Sequence, residues 1–237
     1  MINAIGLSFE YEKNLKVLKN LSFSISEGET VGLIGANGCG KSTLLKILVG
    51  LLPYEGEVSA FSLPIEKKNF KEIRRKMGYV LQDSDNQLFM SKVKDDVAFA
   101  PKNYGYLKED IEKVVEASLD QVGILHLKDR QNSKLSGGEK KLASIAVILA
   151  MAPKMLLLDE PTNGLDPYNR RKIINILKDI PQTKLIASHD LDLIYDTCSR
   201  VLLLSDGQIK ADGSVEEILK NKELLEKYHL ELPLRFQ

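Results

Sequence analysis

The sequence predicts an α/β fold in which a mostly parallel sheet is joined to an antiparallel β subdomain and to an inserted α-helical subdomain. Apolar runs of four or five residues alternate with helical patterns, an order that is typical of parallel strands joined by crossover helices. These runs lie at residues 30–34, 78–81, 155–158, 184–187 and 201–204. Near the start, residues 2–11 and 21–25 instead alternate apolar and polar side chains, which indicates antiparallel strands with one solvated face.

One long stretch carries the helical subdomain. Residues 93–152 contain no strand pattern, and apolar residues between Ile111 and Val122 fall on one helical face. We therefore expect a single domain over residues 1–237, with a core at about 1–82 and 154–237 and a helical subdomain at about 83–153.

Composition excludes several classes of protein. Lys plus Arg and Asp plus Glu number 33 each, so no net charge draws the chain to nucleic acid, and no nucleic-acid partner is expected. The N-terminus lacks a basic segment followed by a long apolar run, and no window approaches the roughly 20 apolar residues of a membrane helix. Two cysteines, Cys39 and Cys198, make no disulfide framework. These features predict a soluble intracellular protein.

The strongest motif is GANGCGKST at residues 35–43, which follows an apolar run and precedes a helical pattern. It fits the phosphate-loop pattern G-x-x-x-x-G-K-[ST] in its strand–loop–helix context. Lys41 is predicted to reach the β- and γ-phosphates, and the Ser42 hydroxyl to ligate Mg²⁺. This motif predicts a P-loop NTPase core. The loop residues expected to bind nucleotide are Gly35, Asn37, Gly38, Cys39, Gly40, Lys41, Ser42 and Thr43.

A second motif, MLLLDEPTNGLD at residues 155–166, ends an apolar run with two carboxylates. Ligands of α/β sheets bind at the carboxyl ends of the strands. We expect Asp159 to hold Mg²⁺ through water and Glu160 to act as general base on the attacking water. An acidic pair is otherwise a common structural turn, but its pairing with the loop at Gly35 favours catalysis.

The third motif, LSGGEKK at residues 135–141, starts a helix with an apolar stripe. Its residues 136–139 fit the capping box S-x-x-E, so on structural grounds alone it is a well-capped helix. Ser136, Gly137 and Gly138 also make an exposed helix start with free N–H groups, which indicates a second anion site.

These motifs, with Gln82 between the first and the third and His189 after the second, follow the order found in the ATP-binding-cassette (ABC) ATPases. The chain resembles that family over nearly its whole length, and LSGG is the family signature. The resemblance implies a head-to-tail dimer that binds two ATP molecules with Mg²⁺. Ser136, Gly137 and Gly138 of one subunit would then cover the γ-phosphate held by the other. The second subunit could be a copy of this chain or a homologue.

The same resemblance implies roles for four further residues. Tyr11 would stack on adenine, and Asp166 would lie at the dimer interface, although Asp166-Pro167 also fits a helix N-cap. His189 would contact the γ-phosphate and help to position the water. Gln82 would approach Mg²⁺ and the attacking water.

Within the family, DSDNQLF at residues 83–89 and VKDDVAFAP at 93–101 resemble the energy-coupling-factor and cobalt/nickel/biotin-type importers. Those importers pair such ATPases with a transmembrane coupling subunit and a substrate-binding membrane subunit. The resemblance implies a peripheral subunit on the cytoplasmic face of the membrane that serves uptake of a metal ion or a vitamin. Asp83-Ser84 departs from the Asn-Pro that is usual in these relatives.

The alternative is a soluble ABC ATPase of the iron–sulfur assembly or translation type, which would keep the same ATP motifs. The translation type normally carries two cassettes per chain, whereas one is visible here. Neither type predicts DNQLF. The presence of both Glu160 and His189 argues against an ATP switch that does not hydrolyse.

Cys39 adds an expectation that is independent of the family. It lies two residues before Lys41, where a helix begins, and both settings lower the pKa of a thiol. The sequence therefore predicts a Cys39 that is reactive and is protected by MgATP. Cys198, near the end of an apolar-faced helix, is expected to be packed and slower to react.

Overall fold

In this computed structural model, residues 1–12 and 15–237 are described. The strands of these residues form two sheets. In chain order they are β1 (Ile2–Glu10), β2 (Lys16–Ile25), β3 (Thr30–Ile34), β4 (Glu55–Ala60), β5 (Leu63–Pro64), β6 (Met77–Val80), β7 (Met155–Asp159), β8 (Thr183–Ala187), β9 (Arg200–Ser205) and β10 (Gln208–Ser214). The α-helices are α1 (Lys41–Leu48), α2 (Phe70–Lys76), α3 (Val93–Asn103), α4 (Lys108–Gln121), α5 (Gly137–Leu149), α6 (Pro167–Asp179), α7 (Leu191–Thr197), α8 (Val215–Leu219) and α9 (Lys222–Lys227).

The main sheet has six strands in the order β10-β9-β3-β8-β7-β6. Its strands pair in parallel except at β10, which runs antiparallel to β9. Strands β7 and β8 are buried at every residue because helices cover both faces, as their apolar sequences predict. The prediction of a mostly parallel α/β sheet is confirmed. Its carboxyl ends bring β3, β6, β7 and β8 to one edge, where the site described below forms.

A second sheet, in the order β2-β1-β4-β5, is antiparallel. Along β1, buried and exposed residues alternate, with Ile2, Ala4 and Leu7 in the core, and this confirms the antiparallel start. The sequence did not predict β4. Its first three residues are exposed and only Val58 and Ala60 are buried, so it lacks an apolar run.

Helices α3, α4 and α5 form the helical part of the molecule. Val97, Leu119 and Leu142 from these helices join one buried cluster with Val80 and Leu158 of the main sheet. Because the helices share a core with the sheet, the subdomain boundaries at about 83 and 153 stay a prediction. The longest of these helices, α4, has 14 residues, and none in the described part of the chain has the length and apolar character to span a bilayer.

Candidate nucleotide site

A cavity of about 540 Å³ opens at the carboxyl edge of the main sheet. It brings together residues from the phosphate loop, the first strand, the end of β6 and the ends of β7 and β8. Its lining residues are Tyr11, Val17, Asn37, Gly38, Gly40, Lys41, Ser42, Thr43, Gln82, Glu160, Asn163 and His189. Residues that are up to 178 positions apart in the chain, from Tyr11 to His189, thus face one space.

The phosphate loop connects β3 to α1. Gly40 caps the helix with a φ of 111°, and a Cβ there would lie 2.7 Å from the Leu18 side chain, so only glycine fits without strain. The buried Lys41 ammonium donates to the carbonyls of Gly35 at 2.7 Å and Ala36 at 3.3 Å. These bonds hold the Lys41 ammonium inside its own loop, next to the start of α1. The positive ammonium and the helix dipole both favour an anion at this place.

Asp159 ends β7 and is 3% exposed. Its Oδ1 accepts a hydrogen bond from the Ser42 hydroxyl at 3.0 Å, and its Oδ2 accepts one from the Tyr79 hydroxyl, also at 3.0 Å. Burial raises the pKa of Asp159, against the lowering effect of these two donors. The sequence did not identify Tyr79 as a site residue, because it lies in an apolar run that predicts only a buried strand.

The donor set at this point fits Mg²⁺. The Ser42 hydroxyl, the Asp159 carboxylate and the Gln82 amide are hard oxygen ligands, and Ser42, Gln82 and Asp159 line a common cavity. Among residues 1–12 and 15–237, no three His, Cys, Asp or Glu side chains come together as a metal cage. Mg²⁺ suits such an open site because it keeps several waters and shares phosphate oxygens.

Glu160 has an unusual backbone and is 6% exposed. Its φ of 45° lies in the left-handed region, which for a glutamate costs about 1–3 kcal/mol, and residues with such strain cluster at functional sites. Its carboxylate accepts hydrogen bonds from the Ser188 hydroxyl at 2.9 Å and the His189 N–H at 3.2 Å, and His189 Nδ1 lies 2.8 Å from Oε2. With Nδ1 on Glu160, His189 has Nε2 left for another partner.

The loop that carries His189 is braced by a network that the sequence did not reveal. The Arg170 guanidinium donates two hydrogen bonds of 2.6 Å to the Asp190 carboxylate, and the Thr162 hydroxyl donates a third at 3.0 Å. Burial raises the pKa of Asp190, but these donors outweigh it and the pKa is lowered overall. Asp190 also caps α7 through Leu193 N–H, which fixes the chain directly after His189.

Tyr11 forms part of the cavity wall. Its side chain is 54% exposed, its hydroxyl lies 3.2 Å from Thr43 Oγ1, and its ring meets Phe9 edge-on at 4.7 Å. An exposed ring at this place is compatible with stacking on a base, and that role stays a prediction.

The residues of the LSGG motif lie elsewhere. Ser136 caps α5 and forms a complete capping box with Glu139. Asp166 caps α6, and Asn169 near that start packs so close to Gly138 that a Cβ on the glycine would lie 2.5 Å from its side chain. Among the described residues, the nucleotide cavity is lined by neither Asp166 nor the motif residues 136–138. A single chain therefore does not bring them to the phosphate loop.

Lys141 links the LSGG helix to the Gln82 loop, a role that the sequence did not suggest. Its ammonium is buried and donates to the Leu81 carbonyl at 3.0 Å and the Gln82 carbonyl at 2.6 Å. Burial lowers its pKa to about 8. The Gln87 side chain makes a second link, accepting from Leu81 N–H and donating to the Ser144 carbonyl. Loop and helix are therefore held together by buried polar bonds.

The structure corrects the expectation for Cys39. Burial raises the pKa of this thiol and outweighs the opposing effect of Lys41, so the prediction of a lowered pKa was wrong. The helix start and Lys41 both favour the thiolate, and both are visible in the sequence. Burial of the thiol, which favours the neutral form, is not visible there. Cys198 is buried, and burial raises its pKa to about 12. That Cys39 reacts faster than Cys198 stays a prediction.

Comparison with known proteins places this geometry in a family. The ABC transporter family matches residues 18–163. A Geobacter sulfurreducens protein named as an ABC transporter ATP-binding protein is 46% identical over 228 residues, which cover 96% of this chain and 92% of the relative. The energy-coupling factor transporter ATP-binding protein EcfA of Methanocaldococcus jannaschii is 42% identical over 239 residues, covering 98% of this chain and 86% of the relative.

Solved structures agree. The structure of cbiO1 from Clostridium perfringens, part of the ABC transporter complex cbiONQ, superposes with a TM-score of 0.85 at 36% identity, covering 95% of this chain and 93% of that one. A dimeric ATP-binding cassette in a post-hydrolysis state with ADP and phosphate superposes with a TM-score of 0.82 at 27% identity, covering 91% and 99%. The resemblance drawn from the motifs is confirmed: the chain belongs to the ABC transporter family and is an ATP-binding ATPase of that family.

Proposed function

We propose that this protein is the ATPase subunit of an energy-coupling-factor-type importer, in which MgATP-driven closure and opening of a dimer are coupled to micronutrient uptake. The cargo class is a metal ion such as cobalt or nickel, or a vitamin such as biotin. Cargo selection then resides in a separate substrate-binding membrane subunit, and a transmembrane coupling subunit docks on this chain at the cytoplasmic face of the membrane. The similarity to EcfA and cbiO1 supports this class over a soluble ABC ATPase.

The chemistry that we propose assigns four roles to the residues of the site. Lys41 and the N–H groups of its loop bind the phosphates, while Ser42, Asp159 and Gln82 would hold Mg²⁺, which would neutralise phosphate charge when bound. Glu160 accepts the proton of the attacking water. His189, positioned through its Nδ1 contact with Glu160, contacts the γ-phosphate through Nε2 and helps to position the attacking water.

A head-to-tail dimer completes each site. Ser136–Gly138 stand at a capped helix start outside the cavity of their own chain. The Ser136 N–H already donates to Glu139 Oε2 at 2.7 Å, so the exposed Gly137 N–H and the Ser136 hydroxyl are the groups that we propose for the phosphates of a second subunit. The dimeric cassette with bound ADP and phosphate supports such pairing. Asp166, at the start of the neighbouring helix, lies on the same proposed interface.

The observation that carries the importer proposal is an exposed aromatic pair next to the Gln82 loop. Phe89 is 63% exposed and Phe99 41% exposed, and their rings meet edge-on at 4.9 Å. Two N–H groups at the base of this pair, those of Phe89 and Met90, donate to the buried Asp96 carboxylate at 3.0 and 3.1 Å. A rigidly held apolar surface of this kind suits a protein partner rather than solvent. Two residues before Phe89, the Gln87 side chain accepts a hydrogen bond at 3.0 Å from the N–H of Leu81, which directly precedes Gln82 of the nucleotide cavity.

The test is recovery of the full chain with its membrane partners. Tagged protein is extracted with mild detergent from membranes of its own host, and co-purifying membrane proteins and ATP hydrolysis are measured. We expect Phe89→Ala and Asp85→Lys to lose the coupling subunit while MgATP binding is retained. Ile5→Ala, which truncates a similarly exposed apolar residue on β1, is the matched control.

Two results would count against the proposal. The wild-type chain could recover no integral membrane protein, which would favour the soluble class. Alternatively, Phe89→Ala could lose nucleotide affinity with the complex intact, which would assign the segment to the wrong contact.

A further inference from the structure

We propose that Tyr79 is a positioning residue of the hydrolysis site, one that orients the Asp159 carboxylate toward Mg²⁺ through a hydrogen bond from its phenol. The inference rests on the metal role proposed for Asp159. It assigns a function to a strand residue that carries no motif.

The geometry begins with the register of two parallel strands. Tyr79 on β6 pairs with Leu157 on β7, two residues before Asp159 ends that strand. The tyrosine side chain is long enough to reach from this position to the Asp159 carboxylate. Its hydroxyl donates to Asp159 Oδ2 at 3.0 Å, while Ser42 donates to Oδ1 at 3.0 Å. Each oxygen of the buried carboxylate therefore accepts one protein donor.

The two donors differ in what else they can do. The Ser42 oxygen is itself a candidate metal ligand, and it can keep donating its proton to Asp159 while its lone pairs face the metal. The Tyr79 phenol has no such second role among the proposed ligands. It can only fix the carboxylate, as donors to metal-binding carboxylates commonly do.

The hydrogen bond between Tyr79 and Asp159 lies beside an open space, so its loss would leave the carboxylate free to move. Tyr79 and Asp159 line a second cavity of about 470 Å³, together with Ser42, Gln82 and Lys46. Without the phenol, Asp159 Oδ2 would face this space with no protein donor and the carboxylate could turn about its Cβ–Cγ bond.

A purely structural bond and a positioning bond predict different results. If Tyr79 only stabilised β6 against β7, its loss would lower stability and leave metal affinity unchanged. If it orients Asp159, Tyr79→Phe weakens metal binding by about 10–100-fold, the usual cost of removing an outer-shell partner. The affinity for nucleotide in EDTA stays unchanged, because the phosphate loop is untouched.

The experiment uses the full chain with a non-hydrolysable ATP analogue and follows Mn²⁺ by electron paramagnetic resonance, with Mg²⁺ as competitor. Analogue affinity is measured separately in EDTA. Tyr54→Phe is the matched control, since it also removes a phenol donor, there to the carbonyls of Val58 and Ile65 in the antiparallel sheet. We expect wild type and Tyr54→Phe to bind Mn²⁺ alike, and Tyr79→Phe to bind it 10–100-fold more weakly.

Three results would overturn the inference. Tyr79→Phe could bind Mn²⁺ within about twofold of the Tyr54→Phe control, when a loss of about 10–100-fold is expected. It could weaken analogue binding equally in EDTA, which would indicate a general distortion of the cavity. Wild-type protein could bind the analogue but no Mn²⁺, in which case the metal role of Asp159 fails and the assignment of Tyr79 fails with it.

Discussion

Replacement of Lys141 by methionine gives the sharpest test of the link between the LSGG helix and the Gln82 loop. The lysine side chain is buried, and its ammonium bonds two carbonyls and, among the described residues, no carboxylate. Its pKa falls from 10.5 to about 8 because burial penalises the charged form. One pKa unit corresponds to about 1.36 kcal/mol, so keeping this lysine charged costs the folded state about 3 kcal/mol below pH 8.

The sign follows from the number of protons bound. Between pH 8 and 10.5 the unfolded chain keeps a proton on Lys141 that the folded chain has lost, so stability rises with pH in this window. The gain in the free energy of unfolding from pH 7 to pH 9 is about 1 kcal/mol. Other groups titrate in the same range, so the difference between wild type and Lys141→Met isolates this residue.

The assay is urea unfolding at pH 7 and pH 9. We expect the free energy of unfolding of wild type, relative to Lys141→Met, to rise by about 1 kcal/mol over this interval. Lys140→Met is the control, because Lys140 pairs with the exposed Asp85 at 2.6 Å and should follow wild type. Parallel changes in wild type and Lys141→Met would refute the buried, desolvated state of this ammonium.

Three further outcomes are expected. Cys39, with its raised pKa, should react with maleimide more slowly than a free thiol, and more slowly still when MgATP is bound. The rate is measured by peptide mass spectrometry, and an equal rate with and without MgATP would mean that phosphates do not fill the loop. Tyr11→Ala should weaken ATP binding by about tenfold while Tyr11→Phe binds normally, because stacking on a base contributes about 1–3 kcal/mol; equal affinities by calorimetry would exclude stacking. Asp96→Ala should lower the free energy of unfolding by about 3 kcal/mol, since the N–H groups of Phe89 and Met90 and the side-chain amide of Asn132 lose a buried acceptor. Asp95→Ala, next to it and less buried, should change stability by less than about 1 kcal/mol, and equal effects in urea would contradict the role of Asp96.

The fold could be predicted for those elements whose burial produces a recognisable pattern of apolar residues in the sequence. Strands β7 and β8 are covered on both faces, so all of their positions are buried and their runs were recognisable. Strand β4 begins with three exposed residues and pairs with β1, which lies far earlier in the chain, so local pattern alone does not reveal it. Strand β10 pairs with β9 across a two-residue turn, but it is an edge strand without a buried residue and therefore lacks an apolar run.

The same division applies to the site. Lys41 and Glu160 belong to short continuous motifs whose residue types and spacing indicate phosphate binding and hydrolysis, so the sequence identifies them. Tyr79 acts on a residue 80 positions away, and Lys141 acts on a carbonyl 59 positions away. Both depend on strand register and helix packing. Cys39 shows the converse error, since neighbouring charge was visible in the sequence and desolvation was not.

The most direct measurement is the ATPase rate of Glu160→Gln beside that of wild type. The amide keeps the shape of the side chain but cannot accept the proton of the attacking water, and removal of a general base costs about 10²–10⁴ in rate. We predict that purified Glu160→Gln binds MgATP and forms an ATP-dependent dimer by light scattering, yet hydrolyses ATP at least about 100-fold more slowly than wild type. Hydrolysis at a rate near that of wild type would contradict the assignment of Glu160 as the base on which the proposed mechanism depends.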